Sequence, residues 1–182
     1  MPYDLFEHRH RFAVWAAARA TQRNFTSVER LRDALQKCGI KEFVNTAALR
    51  EIDEARYREL HRDWCRAIIQ DLAEGGVADP TFGRAAKLVG VYLKAMVVIG
   101  PASGSSLACV AHPPIDRILL KKIGKAAEMD SHHRRTWGKV NWTQLTEEGY
   151  YSLIDQLRGA VSGDDPFWTL ERFWTVTDEN EG

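Results

Sequence analysis

Cysteine is scarce in this sequence: three in 182 residues, at positions 38, 65 and 109. An odd count without a Cys-x-x-Cys pair supports neither a disulfide framework nor a zinc or iron–sulfur site, and it suits the reduced thiols of a cytoplasmic protein. His132 and His133 are adjacent rather than a helical turn apart, so they lack the spacing of a helical metal site. No metal or cofactor is therefore expected. Long apolar runs are missing as well, and the N-terminus carries no apolar signal region, so no membrane partner is expected. Alternating strand patterns are equally short, and residues 107–111 are the best of them. Internal repeats and low-complexity tracts are absent. What is left, with 45% hydrophobic and 27% charged residues, reads as an all-α chain forming one domain over residues 1–182, expected to be a monomer.

An excess of charge is lacking too, yet the zero net charge is unevenly laid out. Residues 1–139 hold 23 Lys and Arg against 16 Asp and Glu, whereas residues 140–182 hold 2 against 9. A basic body with an acidic end segment suits a polyanion on one face, or simply a solvated mixed surface. Within the basic part, Lys121, Lys122, Lys125, Arg134, Arg135 and Lys139 crowd together and form a candidate phosphate-contacting surface.

Helical spacing organises the rest. Asp4 and Glu7 mark the start of a first helix, in which Phe12 and Trp15 read as core anchors or, alternatively, as an aromatic facing a cleft. Ser27 or Thr26 caps a second helix ending at Gly39, and a third runs from Thr46 to Gly75-Gly76, either unbroken or broken once near Glu59. On that third helix His61 sits among charged residues and reads as a surface residue. Thr146 and Glu147-Glu148 open a later helix. The terminal Phe167, Trp168, Leu170, Phe173 and Trp174 are too apolar for a free tail.

Residues 79–124 hold the feature the chain is built around. Asp79 reads as an N-cap, with Pro80 in the first helical position. Phe82, Ala85, Ala86, Val89, Leu93, Met96 and Val97 then form an apolar stripe. Lys87, Gly90, Val91 and Lys94 share another face, where Gly90 suggests a close neighbour to the backbone. Gly100-Pro101 ends that helix, and Pro113-Pro114 lead into a short one carrying Asp116.

The order Gly83-Arg84-Ala85-Ala86-Lys87, then Pro113-Pro114-Ile115-Asp116, resembles the helix–hairpin–helix superfamily of DNA glycosylases. Those enzymes carry a Gly-x-Gly-x-Lys hairpin, an apolar helix, and a proline-containing segment ending in an essential aspartate. The interval between lysine and aspartate is closest to the archaeal 8-oxoguanine glycosylase branch. Ala85 stands where the family has its second glycine, and no cysteine cluster follows. The resemblance implies two small helical lobes around a cleft, with 79–124 as hairpin and catalytic core. It implies Lys87 and Asp116 as catalytic residues, and Gly83, Arg84 and Ala85 as a phosphate clamp alongside Lys121, Lys122, Arg134 and Arg135. Phe12, Trp15, Trp168 and Trp174 are the aromatic supply for a base pocket.

The implied reaction is excision of a damaged or modified base from double-stranded or locally unpaired DNA, with or without strand cleavage by an AP lyase step. It would serve repair, or defence against phage with modified DNA. Such chemistry needs these residue types: a carboxylate to stabilise a cationic sugar, and an amine of lowered pKa to attack C1′. Lys94, on the same face, is the expected cation that lowers the pKa of Lys87. The rival readings are a non-catalytic nucleic-acid-binding module of the same fold and a helical interaction protein without a nucleic acid partner.

Overall fold

Polar caps cut the chain into short helices, and in the computed structural model every regular element among the described residues is helical. The structure describes residues 3–47, 50–126, 136–159, 161 and 165–174. Helix α1 (Leu5–Gln22) starts where the Asp4 carboxylate accepts the amides of Phe6 and Glu7, and α2 (Val28–Lys37) where Ser27 accepts the amide of Arg30. After α3 (Ile40–Ala47) comes α4 (Glu54–Glu74), capped by Asp53. Helix α5 (Phe82–Leu93) runs into a π-helical turn over Lys94–Val98. Two short helices follow, α6 (Ser106–Val110) and α7 (Arg117–Ile123), then a 3-10 turn at Trp142–Gln144. Helix α8 (Glu147–Arg158), capped by Thr146, and a 3-10 turn over Phe167–Phe173 complete the described elements. No described helix is long and apolar enough to cross a membrane.

Helix α5 is the central element. It packs against α1, α2, α4, α8 and the Trp142 turn, and it is buried nearly all round rather than along one stripe. Its small residues make this possible: Gly83, Ala85, Ala86 and Gly90 let neighbouring backbones come close. Leu88, Val89, Tyr92 and Leu93 are wholly buried, each aliphatic one contributing about 1.5–3 kcal/mol by leaving water. The apolar C-terminal segment does return to the body, with Phe167 and Leu170 in the same connected core.

Several expectations are corrected. Asp79 does not cap α5: it adopts a left-handed φ of 49°, a conformation that Asp tolerates better than most residues. The helix begins only at Phe82, and the Thr81 hydroxyl at its head donates to the carbonyl of Thr143 (2.6 Å) instead of capping. The expected third helix begins only at Glu54, as α4, and runs unbroken past Glu59, while Ile40–Ala47 form a separate helix, α3. Residues 107–111 form most of helix α6, not a strand. Phe12 and Trp15 are not core anchors, being 56% and 49% exposed, while α1 buries Ala13, Val14, Ala17 and Ala18. His61 is wholly buried rather than on the surface.

Candidate active site

Gly90 and the Pro113-Pro114 corner bring the site together. A Cβ at Gly90 would meet the Pro114 Cα at 3.1 Å and its nitrogen at 3.2 Å, so the missing side chain lets the corner seat on α5. Asp116, two residues on, then stands at the head of α7 as its N-cap. Its Oδ1 accepts the amides of Ile118 (2.9 Å) and Leu119 (3.0 Å), which fixes the carboxylate plane. Its Oδ2 faces Lys87, whose Nζ donates at 3.1 Å, and the Trp174 indole N–H lies 3.4 Å away. One oxygen thus serves the fold and the other serves the site.

Lys87 is 4% exposed. Burial pushes its amine below the ordinary lysine pKa; Asp116 opposes the shift, and the Arg23 charge adds to it. Its Nζ also lies 4.6 Å from the centre of the Trp142 ring, a cation–π distance. Lys94 is not the neighbour that lowers this pKa. It is ion-paired with Glu171 and lies 5.1 Å from the Trp174 ring centre. Burial raises the Glu171 carboxyl, against the pull of Lys94.

Lys87 and Asp116 open onto one cleft of about 440 Å³, within the usual range of small-molecule sites. Helix α1 supplies one wall through Phe12, Ala16, Arg19, Ala20 and Arg23, and Val91, Ala95, Pro114 and Ile118 make the opposite side apolar. Of the four aromatics expected around a base, Phe12 and Trp174 line this cleft. Trp15 does not; its ring packs against Phe12 at 5.9 Å. Trp168 does not either, for it borders a separate cavity beside Val98 and Arg172. Arg19, Arg23 and Glu171 were not expected there. The first two had a signal, since they continue the helical spacing of Phe12 and Ala16; Glu171 had one as the lone acid in the apolar terminal segment.

The expected phosphate contacts divide. The Gly83 amide donates to the Leu145 carbonyl at 3.1 Å, and a Cβ there would meet the Trp142 carbonyl oxygen at 1.9 Å. This glycine serves helix packing, and its N–H is already used. The Ala85 amide is likewise spent on the Thr81 carbonyl (3.2 Å). Two of the three amides expected in the hairpin clamp are therefore already used within the fold. Arg84 stacks on Phe25 at 3.9 Å and borders a second cavity. Lys121 and Lys122 stand in the last turn of α7 and line neither the cleft nor that cavity. Arg134, Arg135 and the His132-His133 pair lie outside the described residues. Among the described residues, no cluster of three His, Cys, Asp or Glu side chains could hold a metal ion.

Comparison with known proteins finds no matching family model, no matching curated protein and no matching solved structure. Function is therefore argued from the site. A half-encircled amine of lowered basicity beside a fixed carboxylate, in a cleft with aromatic and cationic walls, can act as a nucleophile, an acid–base pair or a cation-stabilising centre.

Proposed function

We propose that this chain is a DNA glycosylase of the helix–hairpin–helix kind, its helices forming two small lobes around the cleft. The observation that carries the reading is the 3.1 Å contact between Lys87 Nζ and Asp116 Oδ2 inside that cleft. Both residues were singled out by motif order alone, and 28 intervening residues separate them in the chain.

In this reading an extruded base enters beside Phe12 and Trp174. The lone pair of neutral Lys87 bonds to C1′ while the N-glycosidic bond breaks and its electron pair leaves with the base. Asp116 Oδ2 stabilises the positive charge on the sugar and accepts the proton that the new C1′ ammonium sheds, which passes to the departing base. Opening of the sugar ring then gives a Schiff base at Lys87, the entry to an AP lyase step. Lys121, in the last turn of α7, would meet a strand phosphate.

Borohydride added during turnover on duplex DNA with an oxidised purine, and on DNA from phage with modified bases, tests this. A covalent protein–DNA adduct is expected, and it should vanish in Lys87→Ala. Base release that survives Lys87→Ala but not Asp116→Asn would make water the nucleophile, activated by Asp116. Survival of both changes would remove the pair from the reaction. The second reading, a non-catalytic nucleic-acid-binding module, is favoured by the closed ion pair itself, which holds the amine against its own counter-ion. It predicts salt-dependent DNA binding without base release from any substrate.

A further inference from the structure

A second cavity of about 450 Å³ lies on the other side of Arg23, which borders both it and the cleft. Its charged lining is wholly cationic: Arg23, Arg84, Arg117 and Lys139, with no acidic side chain among the lining residues. Arg117 directly follows Asp116, so the two cavities meet again at that point of the chain. Two facts distinguish this cavity from a solvated basic surface.

Several cations elsewhere in the described fold are matched with acids. Arg58 pairs with Glu54 and Asp155, Arg62 and Arg66 with Glu147, and Lys94 with Glu171. Arg23, Arg117 and Lys139 have no ion pair among the described residues. Two buried polar atoms at the cavity also lack any hydrogen-bond partner, the Thr21 hydroxyl and Arg84 Nε. Thr21 is 2% exposed, and a buried hydroxyl left unsatisfied is costly to the fold. A ligand rich in oxygen would offer acceptors to these groups. The opposing effects are the C-terminal end of α1, worth about half a negative charge, and Asp79, whose charge acts on Arg84; four cations outweigh them.

Which anion fits follows from the donors. Three guanidinium groups and an ammonium, converging with a hydroxyl, match a group with several oxygens and more than one lone-pair direction. We infer that this cavity binds a phosphate group and, resting on the glycosylase reading, that this is a backbone phosphate of the strand whose base enters the cleft. Arg23 would then touch the phosphate on one side and the Lys87 environment on the other. The contact would take the place of the Gly83 and Ala85 amides, which are spent within the fold.

The test uses the whole chain and two probes, inorganic phosphate and a duplex. Phosphate should raise the melting temperature beyond chloride at equal ionic strength. Arg117→Gln with Lys139→Gln should weaken the apparent phosphate affinity at least tenfold, and both side chains are exposed, so folding is not at risk. Thr21→Val, nearly the same in shape, should weaken it several-fold, whereas Lys87→Ala should leave it intact. On the duplex, the double variant should flatten the dependence of log K on log salt by about one unit. No phosphate effect beyond chloride overturns the site. A phosphate effect abolished in the double variant, with an unchanged duplex salt slope, overturns the strand assignment and points to a free phosphorylated ligand. Neither result depends on base release, so a failed glycosylase reading is recognised separately.

Discussion

Asp116 divides its work between two oxygens, and that division makes a clean substitution possible. Asparagine caps a helix about as well as aspartate, so Asp116→Asn should keep the bonds to Ile118 and Leu119 and leave the melting temperature nearly unchanged. It removes the charge facing Lys87. Base release should fall by about 10²–10³, the usual effect of losing one well-placed electrostatic group. The amine itself gives a second readout. Burial holds Lys87 below its ordinary pKa while Asp116 pulls it back up. Labelling by an amine-specific reagent should therefore show a midpoint below 10.5 for Lys87, the ordinary lysine value. In Asp116→Asn the midpoint should move lower still; a wild-type midpoint at or above 10.5 would mean that burial is not the dominant effect. Gly83 shows the limit of reading at this scale. A missing Cβ serves a phosphate clamp or a packed backbone equally well, so the glycine was legible as a site of close approach but not as to what approaches. Here it is the Trp142 carbonyl. Gly83→Ala should accordingly lower the melting temperature by several degrees, and duplex affinity, measured well below the melt, should not change.

Elements bring in effects that spacing does not contain. The N-caps Asp4, Ser27 and Thr146 were legible because each lies two or three residues before an amide it can reach. The break between α3 and α4 was not, because its cause is distant in sequence. The Ile52 amide donates to the Ser106 hydroxyl (2.9 Å), which donates in turn to the Arg50 carbonyl (3.2 Å), so α6 holds residues 50–52 out of a helix. The buried face of α1 was misread for a different reason. Its alanines allow a close helix contact, and such contact outweighs the larger apolar surface of Phe12 and Trp15. The π turn also escaped the spacing: the Ile99 amide reaches back five residues to Lys94 (3.0 Å), which leaves Ile99 exposed on the cleft. Gly90, in contrast, was read correctly as a place of close approach, and it yields a test. Gly90→Val puts a branched side chain where Pro114 lies 3.1 Å from a Cβ, and should push the corner and Asp116 away from Lys87. Base release should be lost while duplex binding persists. Gly90→Ala needs a shift of only a few tenths of an ångström, partly offset by about 1 kcal/mol of helix propensity, so its activity should fall between that of wild type and Gly90→Val.

At the scale of the whole molecule, the acidic C-terminal segment has a structural role that composition only hinted at. Glu147 and Asp155 of α8 take up the arginines of α4, and Glu171 takes up Lys94. Arg23, Arg84, Arg117 and Lys139, which line the second cavity, are left without such partners among the described residues. Behind those ion pairs lies a buried polar layer: Tyr57 and His61 of α4, His112, and Tyr150 and Tyr151 of α8. The Tyr151 hydroxyl donates to the Arg58 carbonyl (3.1 Å), so His61 Nδ1, 3.0 Å away, must donate to it and be the protonated ring nitrogen of a neutral imidazole. His112 Nδ1 lies 3.2 Å from the Tyr150 hydroxyl. Burial pushes His61 well below the usual histidine value, and His112 to about 4 despite the pull of Glu54. For a group whose folded pKa is depressed, the unfolded chain binds more protons over the interval between the two values. Stability should therefore be full above about pH 6.5, fall as the pH drops, and level off for His112 only near 4. At about 1.4 kcal/mol per pKa unit, this one histidine is worth a few kcal/mol. Thermal melts between pH 7.5 and 4 should show the loss. His112→Leu lowers the melting temperature at neutral pH but removes one titrating group, so its melting temperature should vary less steeply with pH over that range. A slope as steep as that of the wild type would move the acid sensitivity away from this layer.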